Sequence, residues 1–192
     1  YGIFANKVNK FSYQTGLRAE YSDITTELRQ TNEHHNRNYL DIFPTLHLTY
    51  ELNDKNTFQA SYSRRLSRPH FRSLLPFFAF SDSRNFYSGN PNLEPEYSNS
   101  FEVGYLKYLN KITFLSTVYY RHKTGVIERI LTVDSTGFTR RFPINLAEEN
   151  SFGVEANFNA ELTDWWQFNT NFNFFRAISE GSYEDQDFFT DT

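Results

Sequence analysis

The stretch VEANFNAELTDWWQFNTNFNF, Val154 to Phe174, contains two runs in which every second residue is apolar. Val154, Ala156, Phe158, Ala160 and Leu162 share one side of an extended chain, and Glu155, Asn157, Asn159 and Glu161 share the other. After Thr163, Asp164 and Trp165 the pattern resumes, with Trp166, Phe168, Thr170, Phe172 and Phe174 opposed to Gln167, Asn169, Asn171 and Asn173. A period of two is the signature of a strand, and two such runs around a short polar break read as a hairpin.

Most of the chain repeats this pattern. Phe11, Tyr13, Leu17, Ala19 and Tyr21 oppose Ser12, Gln14, Arg18 and Glu20. Leu40, Ile42, Leu46, Leu48, Tyr50 and Leu52 oppose Asp41, Thr45, His47, Thr49 and Glu51. Further strands are expected over Thr57–Arg65, Ser100–Tyr108 and Ile112 to Val133, with Tyr1–Asn6 as the tail of an earlier one. The total is seven strands and a stub, all β. Pro44 has no N–H for a central ladder and is expected at a local bulge or near the loop side.

Connection lengths alternate. Val8–Lys10, Asn53–Asn56, Leu109–Lys111 and Thr163–Trp165 are short, whereas Asp23–Asn38, Leu66–Tyr97 and Asp134–Asn150 are long. An up-and-down meander has this rhythm, with tight turns at one end and long loops at the other, as in outer-membrane barrels. Greek-key sandwiches do not sort their connections this way.

Composition agrees. The chain holds 21 Phe, 13 Tyr and 2 Trp, yet its mean hydropathy is only -0.64. Many rings in a polar chain are reconciled when only alternate residues face lipid. No run approaches the roughly 18 to 20 apolar residues of a membrane helix. A net charge of -4 gives no nucleic-acid footprint, despite Arg64, Arg65, Arg68 and Arg72. Without Cys, a disulfide scaffold, a thiolate metal site and a Cys nucleophile are excluded. The histidines (34, 35, 47, 70 and 122) are scattered, so neither a metal site nor a cofactor is expected. No nucleophile-elbow motif is present, and no enzyme activity is expected. Met is absent even at position 1, so Tyr1 is expected to follow an upstream segment. Seven strands, a stub and the polar tail EDQDFFTDT do not close a barrel, which leaves no free edge in lipid. Residues 1–192 are therefore expected to be part of a larger outer-membrane β-barrel domain.

The segment GNPNLEPEYSNSFEVGY, Gly89 to Tyr105, resembles a signature of TonB-dependent outer-membrane receptors, of the type abundant in Bacteroidetes. The matching residues are Gly89, Asn90, Pro91, Leu93, Pro95 and Glu96. SYSRRLSRPHF (Ser61–Phe71), FSYQTGLRAEYS (Phe11–Ser22) and DIFPTLHLTYELNDKNTFQASYSRR (Asp41–Arg65) are similar to neighbouring family strands, so the likeness covers nearly the whole chain. It implies a transmembrane barrel that binds a scarce ligand at its extracellular loops and passes it inward as TonB moves a plug. The plug, the TonB-contacting segment and the remaining strands are not in this chain. From the residues alone, each proline stiffens the segment and holds Asn90 and Glu94 extended, so one reading is a lead-in that sets strand register. The other is a direct part in gating.

Two further groups are candidates. The loop residues Arg68, His70, Phe71, Arg72, Phe77, Phe78, Phe80 and Arg84 mix cations with rings that would be costly as a free surface. They are expected to fold into the barrel mouth, or to form a ligand entrance or a contact for a lid or surface lipoprotein. Arg18, Glu20, His47, Glu155, Asn157, Asn159, Asn169 and Asn171 are expected to line the lumen, facing the plug by the resemblance. Trp165 and Trp166 fit an interfacial girdle on the periplasmic side. Two rivals stay open at this point: a passive or structural barrel without a plug, and a soluble all-β binding module.

Overall fold

The computed structural model describes residues 1–28, 33–76, 78–80, 82–184 and 186–192. Nine strands form an antiparallel meander: β1 (Gly2–Val8), β2 (Phe11–Leu28), β3 (Glu33–Asn53), β4 (Asn56–Ser67), β7 (Glu96–Leu109), β8 (Ile112–Val133), β9 (Thr139–Thr163), β10 (Trp166–Tyr183) and β11 (Gln186–Asp191). Between β4 and β7 the chain forms one helical turn, α1 (Phe71–Leu74), and a small hairpin of β5 (Phe78–Phe80) and β6 (Asn85–Ser88). The sheet is open, with β1 and β11 at its edges.

The four short connections are the expected ones, and all lie at one end. Asn9 (φ 56°) and Asn110 (φ 44°) adopt the left-handed backbone that two-residue hairpin turns require and that Asn tolerates. The long connections differ from expectation. Residues 23–28 and 33–38 stay laddered as Asp23↔Asn38 through Leu28↔Glu33, and β9 begins at Thr139, only five residues past β8. The strands thus run well past the roughly 9 to 11 residues that a crossing needs. At the C-terminal end, β10 continues to Tyr183 and β11 pairs with it, so the tail read as loop is a strand. Its alternation is too short and too acidic to register as a period.

Pro44 makes no bulge against β2, where Leu17↔Pro44 sits in an unbroken register. It marks the point where β4 leaves β3, because the β3–β4 ladder ends at Thr45↔Ser63. A residue without an N–H is tolerated at such an edge.

Burial is inverted relative to a soluble protein. The outer face is a continuous apolar band: Phe174 is 83 % exposed, Phe172 68 % and Leu40 67 %. Registered rows such as Ala60↔Val103↔Val118↔Val154↔Phe174 are apolar across five strands. The band slips along the rows, from Leu40–Leu52 on β3 to Phe168–Phe174 on β10, as it must when strands tilt across a layer of fixed thickness. Most of the few buried apolar side chains, including Phe43, Leu74, Leu93, Val126 and Ile130, gather towards the long-loop end, and Ala160 lies beside the short turns.

A charge on the outer face should therefore fail where the same charge on the inner face is tolerated. Phe172→Glu should cost a few kcal/mol of membrane stability near the midplane and reduce assembled protein severalfold. Asn169→Glu, on the inner face, should assemble as wild type. Heat-modifiable mobility of membrane fractions reads both.

Candidate functional site

The chain between β4 and β7 acts as a strap. It leaves β4 at Ser67, and Arg68 donates to the Glu20 carboxylate at 2.8 Å and to the Ser22 hydroxyl at 3.1 Å. Glu20 also meets Arg18 at 2.8 Å. The His70 side chain accepts from the Arg72 N–H and starts α1. The strap then reaches β9, where β6 pairs in parallel with Thr139–Arg141. Those β9 residues already give one edge to β8, so the strap passes over both strands to use the other edge. Arg140 donates to the buried Ser88 hydroxyl at 3.0 Å and lies over the Phe142 ring. Asp82 accepts from the N–H groups of Arg84 and Asn85, squaring off the β5–β6 turn.

The strap returns through the signature segment. Gly89 runs so close to the Ser73 and Leu75 carbonyls that a Cβ would overlap them. Asn90, Pro91, Asn92 and Leu93 form a β-turn: the Leu93 N–H reaches the Asn90 carbonyl at 3.3 Å, and the Asn90 side chain accepts from Asn92 at 2.9 Å. Asn at the first position and Pro at the second suit this turn. Leu93, 3 % exposed, lies with Leu74, Pro69 and Pro91 against Ile24, Thr26, His35, Arg37 and Tyr39. These five all belong to the inner side of the β2–β3 hairpin.

On the other flank the segment is stitched to β8 and β9. Asn90 donates to the Pro143 carbonyl at 3.1 Å. Asn145 accepts from the Glu94 N–H at 2.8 Å and donates to the carbonyls of Glu94 and Gly125. Gly125 has φ +67° at the point where the β8–β9 register slips, a conformation that glycine adopts without strain. Glu96 accepts from the Ile127 N–H at 2.8 Å. The turn thus ties the β2–β3 hairpin to β8–β9, and β7 starts from that fixed point.

The upper ends of β4 and β7 pass inside β3. Arg64 and Tyr97 stand on the outer side of their own strands, yet the Tyr97 hydroxyl donates to Asp41, an inner-side residue of β3, at 2.8 Å. The Arg64 guanidinium lies over the Tyr97 ring at 5.1 Å.

The sequence-derived lumen residues share the inner face. Arg18, His47, Thr45, Ser61 and Ser63 border a cavity of about 700 Å³. Phe43 lies among them, 2 % exposed, with Arg18 over its ring at 4.9 Å. Lower down, Asn171 donates to Glu155, and Asn157 donates to the same carboxylate. Asn159 and Asn169 face each other in register. Phe43, Asn145, Arg37 and Glu94 were missed as site residues. Only Phe43 left a trace, as a ring between the polar Asp41 and Thr45 of its face. Of the loop candidates, Arg68 is locked inward, whereas Phe71 and Phe80 stay exposed, Phe80 with its ring 6.0 Å from that of Phe86 in β6. Phe78 opens β5, Arg84 flanks its turn, and Phe77 lies outside the described residues. Trp165 and Trp166 stack at the β9–β10 turn, both exposed.

A model of the outer membrane protein β-barrel family matches residues 1–192. No curated protein matches the sequence. Among solved structures, the siderophore receptor PirA of Pseudomonas aeruginosa aligns at TM-score 0.62 and 16 % identity, over 89 % of this chain and 36 % of its own. The ferric enterobactin receptor PfeA of the same organism aligns at 0.64 and 14 %, over 93 % and 29 %. The copper transporter OprC aligns at 0.61 and 15 %, over 93 % and 31 %. The chain thus spans about a third of the length of these receptors and transporters.

Asn145→Ala removes three hydrogen bonds and leaves a strand bulge unfilled, a loss of about 1–3 kcal/mol. Trypsin should then cut the strap at Arg84 about tenfold faster or more, with assembly unchanged, since cleavage follows the opened population. Acid should loosen the β5–β6 turn. The Arg84 N–H, then the Asn85 side chain, hold the Asp82 carboxyl below its ordinary 3.8. A depressed carboxylate gives stability that is full above 3.8 and lost as pH falls through the folded value. Arg84 cleavage by an acid-active protease should accelerate across that window, and Asp82→Asn should flatten the dependence.

Proposed function

The chain belongs to the outer membrane protein β-barrel family, and from that premise we propose that it forms part of the barrel wall of a TonB-dependent receptor in the bacterial outer membrane. The reading is an active uptake system that binds a scarce ligand at the long-loop end and passes it through the lumen. Energy arrives through a plug and TonB, and no bond of the ligand is made or broken. The receptors and transporters of similar fold support a transport role rather than catalysis.

One observation carries this reading: the strap folds inward and is pinned on both flanks by the signature turn. A simple open pore gains nothing from a fixed ceiling over its mouth. A receptor needs one, because ligand contacts at the loops must act on whatever fills the lumen below. Arg18, Glu20 and His47, with the amide row of Asn157, Asn159, Asn169 and Asn171, offer that filling a polar wall. They would hold the plug through hydrogen bonds that it can exchange. Phe71, Arg72 and Phe80, exposed on the strap, are proposed for ligand entrance or for a lid or surface lipoprotein.

Peptide mapping of the intact protein, purified from its own membrane, tests this directly. A domain of plug size and a short TonB-contacting segment should precede Tyr1. Further strands alone, or a bare signal peptide, would replace active uptake with a passive or structural barrel.

A further inference from the structure

The cavity of about 700 Å³ on the inner face is a notch between β3 and β4. His47↔Ser61 and Thr45↔Ser63 are the last rungs of that ladder and border it from below. Arg65 borders it from the same side of β4 as Ser61 and Ser63, and Arg64 from the other side of that strand. Donors collect here without acceptors. Arg18 is matched by Glu20 at 2.8 Å. Arg64 and Arg65 form no ion pair among the described residues, and the Arg64 Nε is buried with no hydrogen-bond partner. The side chains of His47, Ser61 and Ser63 make no hydrogen bond among the described residues either.

Among the described lining residues the one carboxylate is Glu102, which already accepts from the Ser100 hydroxyl at 3.2 Å. An excess of guanidinium here runs against the net charge of -4 on the chain. A buried donor without an acceptor is costly, and folded proteins supply one. Depth selects which acceptor. The strap begins where β4 ends at Ser67, two residues beyond Arg65, and Arg68 fixes it inward on Glu20. The cavity therefore lies beneath the ceiling of the lumen, among the groups that face whatever fills the barrel.

We propose that this notch receives an acidic segment of the plug, with an Asp or Glu side chain seated on Arg65 and Arg64. A guanidinium takes a carboxylate through two parallel N–H bonds, and the Ser61 and Ser63 hydroxyls can fill the lone pairs that remain. The inference rests on the uptake reading and deepens it, because it assigns a charge to the part of the plug that faces β3 and β4. It also makes the contact exchangeable: an ion pair open to lumen water is held strongly enough to orient the plug and weakly enough to let it move.

The test uses the intact protein with Arg65→Lys, treated with a water-soluble carbodiimide and mapped by mass spectrometry. A carboxylate oxygen adds to the carbodiimide, the introduced amine attacks the acyl carbon, and an amide forms as the urea leaves with that oxygen. The amide should join position 65 to an Asp or Glu upstream of Tyr1. Lys7 and Glu51, 2.7 Å apart and exposed, should link as the internal control. Arg65→Glu should assemble as wild type yet expose the upstream domain to protease severalfold faster. A control amide with position 65 unlinked, a link from position 65 to Glu102, or unchanged proteolysis of the Arg65→Glu variant would each overturn the proposal. These failures leave the uptake reading standing, since the plug is then present. Peptide mapping that finds no domain upstream removes that reading and this inference together.

Discussion

Hydrocarbon offers no partner to a free N–H or carbonyl, so a chain that crosses it with strands must pair every backbone group with a neighbouring strand. The side chains are then left to satisfy two solvents at once, and a period of two is the one pattern that does so. The apolar rows on the outer face and the Arg, Glu and Asn rows on the inner face both follow from that constraint. It also explains the almost empty apolar core. Packing is supplied by lipid along the outside and by the strap within, so the described residues bury most of their apolar side chains at the long-loop end.

The strap depends on the ladder in a second way. The β3–β4 ladder ends at Thr45↔Ser63, and the two strands part at Pro44. The upper ends of β4 and β7 move inward, Tyr97 reaches Asp41, and the signature turn closes the space against the β2–β3 hairpin. Asn145, Gly125 and Glu96 fix the opposite flank. The prolines of the turn have separate roles: Pro91 shapes it, and Pro95 keeps the segment from becoming another rung. The register-setting role and the gating role weighed for this motif are thus compatible, because the residues that start β7 also hold the ceiling of the lumen.

Much of this was legible in the sequence, for reasons that also mark its limits. Alternation identified the faces of β2, β3, β9 and β10 residue by residue, because lipid enforces it. The alternation of short and long connections placed the tight turns at Asn9 and Asn110. Nothing enforces alternation outside the membrane, so the extensions of β2, β3 and β9 looked like loops, and β11 looked like a tail. Phe43 broke the inner pattern for a local reason, a cation above its ring. Asn145 carried no signal at all: its three bonds depend on a register slip in β8–β9 that a linear pattern does not encode.

The most direct measurement is the environment of single spin labels along β7 and β10 in the intact protein, in its own membrane. Labels replacing Val103, Phe172 and Phe174 should collide with dissolved oxygen and be shielded from a water-soluble nickel relaxant. Labels replacing Glu102, Asn171 and Asn173 should lack that lipid signature. An alternation of period two across both strands is the predicted result. Equal access to the aqueous relaxant on both parities would contradict the membrane-spanning sheet and everything built upon it.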